Sequence, residues 1–257
     1  MMKLTSSNYH STEANRQYWS SSLFKAFDRC EAAGLASVLG EYTRPETKAL
    51  LLGSYVDAYF AGELEEFTAR NGDKIYKKNG DLYSDYVHAR DIIAAVEAQP
   101  TMLEYLTGDK QTIMTAVFFD VPWKIKMDVY DGTRIVDLKC VKDFKDIYQP
   151  GFGFRSWVEY WAYDIQGAIY QKVVEENTGK RVPFYLAAVT KEPVPDVDLI
   201  EIPQPYLDAA LEIVKSKIDG FDLVKLGEIP PKRCGVCDYC KRTKKITGPK
   251  QFEPEEG

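Results

Sequence analysis

Long apolar runs are missing from this chain of 257 residues, and none approaches the length needed to cross a bilayer. The N-terminal stretch "MMKLTSSNYHSTEANRQYW" also lacks the apolar core of a secretory signal. These absences predict a cytoplasmic protein with no membrane partner. Cysteine is scarce, with five residues. An intracellular chain of this size has little use for a disulfide framework, which leaves metal ligation or core packing for the thiols. No internal repeat or long low-complexity stretch interrupts the sequence. Positive charge is in deficit, 33 lysines and arginines against 39 acids for a net charge of −6. That balance argues weakly against nucleic acid, since phosphate binding is largely electrostatic, but a local basic patch would suffice. One such run exists: Lys232, Arg233, Lys241, Arg242, Lys244, Lys245 and Lys250 face a single acid, Asp238. A solvated tail and a phosphate-binding surface account for it equally well.

What is present describes a globular protein: 45% hydrophobic and 28% charged residues, long enough for a single domain over 1–257 with a sizeable core. Residues 1–108 read as helical. "SSSLFKAFDRCEAAGLASVLGEY" opens with capping serines and sets Leu23, Phe24, Phe27 and Cys30 on one helical face. Further helices are predicted over "ETKALLLGSYVDAYFAG" with Thr47 as cap, over "SDYVHARDIIAAVEAQ", and briefly around Met102 to Leu106. The pattern then switches to short β-branched and aromatic runs, "TIMTAVFFD", "WKIKMDVY" and "TRIVDLKC". A long helix from Trp157 to about Glu176, strands "PFYLAAVT" and "DLIEIP", and a helix over "QPYLDAALEIVKSKI" complete a core spanning 109–226. Residues 227–257 form a cysteine motif and basic tail. The order predicts an α/β (α+β) fold with a mixed central sheet flanked by helices.

The chemistry concentrates in "MDVYDGTRIVDLKC", Met127 to Cys140. Asp131-Gly132 predicts a two-residue hairpin turn, with Tyr130 facing Thr133 and Asp128 opposite Ile135. Strand alternation then puts Asp128, Asp137 and Lys139 on one face, and Met127, Val129, Val136, Leu138 and Cys140 on a core face. Asp128 and Asp137 become diagonal neighbours, roughly 7 Å apart or less. Two such carboxylates can share one hard divalent cation, with water and a backbone carbonyl, that of Leu138, completing the shell. Lys139 can orient water or stabilise charge on a phosphate.

An Asp followed by Asp-x-Lys on a hairpin resembles the PD-(D/E)XK nuclease superfamily, whose restriction-endonuclease-like αβββαβ core matches the predicted order. "YDIQGAIYQ" sets Gln166 and Tyr170 one helical turn apart. It resembles the Gln-x-x-x-Tyr motif of RecB-like and RecE-like phage exonucleases, which lies beside the active site and contacts the scissile strand. "ALLLGSYVDAYF" resembles their Gly-x-x-x-His segment, with Asp57 in the histidine's place as an expected further metal ligand.

"RCGVCDYCK" spaces Cys234, Cys237 and Cys240 as three ligands of one centre. The fourth comes from Cys30, Cys140 or a residue such as His10. Cys140 reads as core filler and His88 as a helix-surface residue. Cys30 resembles the N-terminal cysteine of cluster-carrying RecB-like nucleases, where one cysteine precedes the core and three follow it. A [4Fe-4S] cluster, Zn2+ and free thiols all remain open for the four.

The resemblance implies a Mg2+- or Mn2+-dependent deoxyribonuclease of phage or prophage origin. It implies 5′-to-3′ digestion of double-stranded DNA ends to 3′ overhangs, a ring-shaped homo-oligomer, and a RecT-like single-strand annealing partner. Apart from the resemblance, the glycines of "GFGFRSW" before the long helix make that segment a candidate gate over the site. The alternative is a non-catalytic, metal-stapled DNA-binding or assembly module that keeps the nuclease shape.

Overall fold

The computed structural model describes residues 1–249. Lys250, last of the basic run, lies outside them. Seven helices come first: α1 (Thr12–Gln17), α2 (Ser21–Arg29), α3 (Glu31–Leu39), α4 (Lys48–Ala61), α5 (Leu64–Ile75), α6 (Ser84–Glu97) and α7 (Pro100–Tyr105). Strands β1 (Asp109–Phe118), β2 (Val121–Tyr130) and β3 (Ile135–Val141) follow, then the short β4 (Ile147–Gln149) and β5 (Gly153–Arg155). The chain continues through α8 (Trp157–Tyr160), α9 (Tyr163–Thr178), β6 (Phe184–Thr190), β7 (Val197–Glu201), α10 (Gln204–Leu226) and α11 (Asp238–Arg242). One sheet runs β1-β2-β3-β6-β7, and β4 with β5 makes a separate hairpin. Neighbours in the large sheet are antiparallel except β3 and β6, which are parallel and joined through α9. This is the expected αβββαβ core. No helix among the described residues is long and apolar enough to cross a membrane.

Local chemistry starts the helices where expected. The Ser20 side chain accepts from Leu23 N–H at 3.2 Å and that of Thr47 from Leu50 N–H at 3.2 Å. The first predicted helix is two helices. Cys30 is extended (φ −168°, ψ 106°), ending α2 and starting α3. The bend folds α3 back onto α2 so closely that a Cβ on Gly34 would meet Phe27 at 2.5 Å. The long helix after Trp157 is also divided: Ala162, at φ 52°, separates α8 from α9. Helices α1 and α5 and the β4–β5 hairpin went unpredicted. The hairpin contains the "GFGFR" residues read as a gate, tied by an antiparallel register from Ile147↔Arg155 to Gln149↔Gly153.

The sheet is buried on both faces, not one. Trp123, Ile125, Met127, Ile135, Phe184 and Leu186 pack with α2, α9 and α10. Val129, Val136, Leu138, Ala187 and Val189 pack with α4, α6 and α7. Met127 and Val129 thus belong to different layers, so strand alternation breaks at Asp128.

The turn before β3 is wider than predicted. Tyr130 pairs with Ile135 and Val129 with Val136, leaving Asp131 to Arg134 as the connection. Asp131 Oδ1 accepts from Thr133 N–H (2.8 Å), Thr133 Oγ (2.7 Å) and Arg134 N–H (2.9 Å), which holds a broader loop than a two-residue turn allows. The register shifts by two residues. The ladder ends at Val129↔Val136, so Asp128 and Asp137 are not ladder partners.

Close packing of α9 on the sheet makes a test. A Cβ on Gly167 would lie 2.6 Å from the buried Phe184 ring and 2.9 Å from Leu207, whereas one on Gly220 in α10 meets nothing within 4 Å. Gly167→Ala should lower unfolding free energy by about 1–3 kcal/mol. Gly220→Ala should raise it by about 0.5–1 kcal/mol. Urea denaturation of both variants checks the pair.

Candidate active site

Four charged side chains converge where β2 and β3 part. Ladder pairing between these strands covers only Val129↔Val136 and Tyr130↔Ile135, whereas β3 pairs with β6 along its length. Beyond the two pairs, Asp128 Oδ2 accepts the Leu138 N–H at 3.0 Å. The carboxylate therefore takes the acceptor position that a β2 carbonyl would fill. Its other oxygen accepts from Gln111 Nε2 at 3.2 Å. Gln111 adopts φ 52°, a left-handed conformation uncommon for a non-glycine residue, in the part of β1 that faces Asp128. Asp137 is 2% exposed; its Oδ1 accepts from Gln166 Nε2 at 2.8 Å and its Oδ2 touches the Lys139 ammonium. Asp57 comes from the middle of α4, one turn after Gly53. The Gly53 Cβ position lies 3.6 Å from Lys191 Nζ and 3.8 Å from the Cys140 Cβ, so α4 lies directly against β3.

The electrostatics show how tightly the group is packed. Burial, then the Asp128 carboxylate, pushes Asp57 up to about 8. Burial, then Asp137, pushes Asp128 up to about 6, against the opposing pull of Lys139 and the Leu138 and Gln111 donors. Burial disfavours the charge on Lys139, but Asp137 and Asp128 outweigh it and hold the ammonium protonated well above the usual lysine range. One buried oxygen, Asp57 Oδ1, has no hydrogen-bond partner, and Asp137 Oδ2 has only the Lys139 ammonium. Three crowded carboxylates, one with an unmet oxygen, make a hard donor set that a divalent cation fits. Asp57, Asp128 and Asp137 are the residues that would hold it. Of the predicted ligands, Leu138 is seen here through its N–H, as a donor to Asp128.

The Gln-x-x-x-Tyr pair faces inward. Gln166 is 7% exposed and engaged with Asp137, and the Tyr170 hydroxyl donates to the Lys126 carbonyl at 3.0 Å. One side chain fixes an acid and the other fixes the strand bearing Asp128. Lys25 escaped the sequence reading. Its Nζ sits 3.4 Å from the Trp161 and Ala162 carbonyls and 3.5 Å from Gln166 Oε1, bracing the α8–α9 break and orienting the Gln166 amide toward Asp137. Burial, then the Lys139 charge, lowers Lys25 to about 7. The Tyr163 ring lies 5.3 Å from both ammonium groups. Of these, Lys25 and Gln111 carry no motif that a single sequence reveals.

A groove of about 540 Å³ reaches the acids, lined by Ser6, His10, Asp57, Arg70, Lys126 and Asp128 among others. His10 therefore belongs to this groove and does not join the thiols. His88 is a helix residue beside Asp91 at 3.4 Å, as expected. The sulfurs of Cys30, Cys234, Cys237 and Cys240 gather within 4.8 Å of one another. Cys140 stands apart on β3, half-buried, with burial pushing its thiol up to about 11.

The raised carboxylates give a signed pH dependence. Asp57 and Asp128 hold protons in the metal-free fold that the unfolded chain has released, across a window from about 4 to about 8. Their stabilising contribution is present at low pH and lost as pH rises through that window. Asp57→Asn should flatten the loss and stabilise the metal-free protein at pH 8 by at least about 1 kcal/mol. Denaturant melts at pH 5 and pH 8 in chelator measure it.

Comparison with known proteins places these observations. Residues 20–243 match the family model described as "PDDEXK-like domain of unknown function (DUF3799)". A crystal structure of a "Putative exonuclease" from Eubacterium rectale is similar along almost the whole chain. It shares 39% identity at a TM-score of 0.94, covering 98% of this chain and 97% of that one. No curated protein matches. With the match extending from the cap of α2 to the end of α11, the chain belongs to the PDDEXK-like DUF3799 family of the PD-(D/E)XK superfamily.

Proposed function

We propose that this protein is a metal-dependent deoxyribonuclease, an exonuclease acting on the ends of double-stranded DNA. The observation that carries this reading is the convergence of Asp57, whose buried Oδ1 has no partner, with Asp128 and Asp137 beside a charged Lys139. Support comes from the family and from the similar protein described as a "Putative exonuclease". The departure that favoured a non-catalytic module, Asp in place of the family histidine, loses its force because Asp57 stands within the acid group.

A divalent ion bound there, Mg2+ or Mn2+, would polarise the scissile phosphate and make water a better nucleophile at neutral pH. The chain's own residues do the rest. Asp57, Asp128 and Asp137 set the position of that charge. Lys139, kept protonated by Asp137 and Asp128, directs a proton donor at the phosphate or at the attacking water. Gln166 and Tyr170 act as positioning residues, the first on Asp137 and the second on β2 through Lys126. Lys126, Arg70 and His10 line the groove along which a DNA strand would reach the acids. The finer reading extends to 5′-to-3′ polarity, 3′ overhangs, phage origin, a ring-shaped oligomer and delivery to a single-strand annealing protein. A ring would reconcile an acidic exterior with a basic inner channel.

Blunt linear duplex labelled at either 5′ or 3′ ends, with a closed circle as control, tests it. Wild-type protein should digest the linear DNA only with Mg2+ or Mn2+ and release the 5′ label first. Asp137→Asn and Lys139→Ala should each lower the rate by about 10²-fold or more. Gln166→Leu should weaken the metal about 10–100-fold, read as a higher Mg2+ requirement. Undiminished digestion by Asp137→Asn would falsify the assigned site, and cleavage of the circle would sink the exonuclease reading.

A further inference from the structure

The thiol group formed by Cys30, Cys234, Cys237 and Cys240 plays no part in the proposed hydrolysis, and its dimensions discriminate between metal centres. Cys30 Sγ lies 3.6 Å from Cys240 Sγ, Cys234 Sγ lies 3.9 Å from Cys240 Sγ, and no pair exceeds 4.8 Å. A single tetrahedral ion with metal–sulfur bonds of about 2.3 Å places its thiolates about 3.8 Å apart. A cubane cluster gives every thiolate its own iron and directs the sulfurs outward from the corners, roughly 6 Å or more from one another. The single ion fits the group as it stands. The cubane does not, because every pair of sulfurs would have to separate.

The backbone resists that separation. Gly235, at φ 77°, turns the chain after Cys234 so that the Cys237 N–H donates to Cys234 Sγ at 3.3 Å. Cys237 caps α11, and the Cys240 N–H donates to Cys237 Sγ at 3.4 Å. Donors aimed at sulfur favour the thiolate form. Cys30 is fixed by the bend between α2 and α3, and that bend is clamped to the tail. The Ala32 N–H donates to the Lys232 carbonyl at 3.0 Å, and the Lys232 N–H to Glu31 Oε2 at 2.7 Å. Cys30 and Cys240 are buried in one cluster with Ala32, and the Tyr239 ring packs against that of Tyr42 at 5.3 Å, tilted by 57°. Expansion would break this packing on both sides.

We infer that Cys30, Cys234, Cys237 and Cys240 hold one zinc ion as a closed four-thiolate site that ties the start of the chain to its end. Four protein ligands leave no open position, so the ion is structural. Four thiolates around one divalent ion carry a net charge of about −2. The neighbouring basic run then has a local role: Arg233 reaches the Cys240 carbonyl at 3.2 Å and Tyr239 at 5.6 Å.

The test is elemental analysis of protein purified without oxygen, so that a labile cluster would survive. The expected result is one zinc per chain, no acid-labile sulfide and no absorbance near 400 nm. Cys140→Ser should retain that zinc, whereas Cys237→Ser should lose it together with several degrees of Tm. Should Cys237→Ser fail to fold, cobalt exchange into the unaltered protein gives a second readout, the intense visible bands of a tetrahedral thiolate site. Four irons with sulfide, one iron without it, or a folded wild-type protein free of metal overturns the inference.

Discussion

Like charges crowded into a low-dielectric gap set the terms for the elements around them. At an effective dielectric near 20, two unit charges about 4 Å apart repel by about 4 kcal/mol. That is a large fraction of the roughly 5–15 kcal/mol holding a domain together. Beside Asp137 and one Lys139, Asp57 and Asp128 ionise only against burial and the neighbouring acids. The cost is met structurally by donors: Leu138 and Gln111 on Asp128, and Gln166 on Asp137. It is also met by protons, since Asp57 and Asp128 bind them well above the usual carboxylate range. A surface version of the same group would be screened and would titrate normally. Burial between the two layers is what raises Asp57 and Asp128.

That burial follows from the sheet's topology. Because β3 is central and pairs along its length with β6, its remaining edge is free to part from β2. A carboxylate can then enter the ladder plane. Helix α9 covers one side of the opening and α4 the other, each approaching through a small residue: Gly167 against Phe184 and Leu207, and Gly53 against Cys140. Substitution of either acid-bearing strand would disturb both layers, which explains why Gln166 and Tyr170 are committed to holding β2 and β3 in place.

Much of this was readable in the sequence, and the rest was hidden for definite reasons. The acid–acid–lysine grouping survived an incorrect turn because the strands part at Asp128, whose carboxylate reaches β3 through the gap and accepts the Leu138 N–H beside Asp137 and Lys139. The wider loop was obscured because Asp131 hydrogen-bonds three donors at once, an outcome that the Asp-Gly pair does not announce. The break at Cys30 left no proline or glycine at the junction, and the one at Ala162 is held by Lys25 from a distant helix. Tertiary contacts of that kind override local propensity and cannot be seen locally. The second buried face was missed because Ile135 was the one apolar residue on the hairpin's charged side, too little to announce another layer.

Lys25 shows how far the site extends beyond its motif. It ends a relay of four residues: Lys25 lies against Gln166 Oε1, Gln166 Nε2 donates to Asp137 Oδ1, and Asp137 Oδ2 meets Lys139. An amide can face either way, and an amine donor at its oxygen selects the orientation in which its NH2 group meets the carboxylate. With its amide reversed, Gln166 would present its oxygen to Asp137, adding repulsion to a group already short of positive charge. The lysine on α2 thus acts through the glutamine on α9 to keep the acid on β3 available to a cation. The cysteine tie at Cys30 fixes the end of that same helix α2. A centre at the chain's two ends and a centre in its sheet are therefore joined by one nine-residue helix, and the placement of Lys25 relative to Gln166 depends on where α2 is anchored.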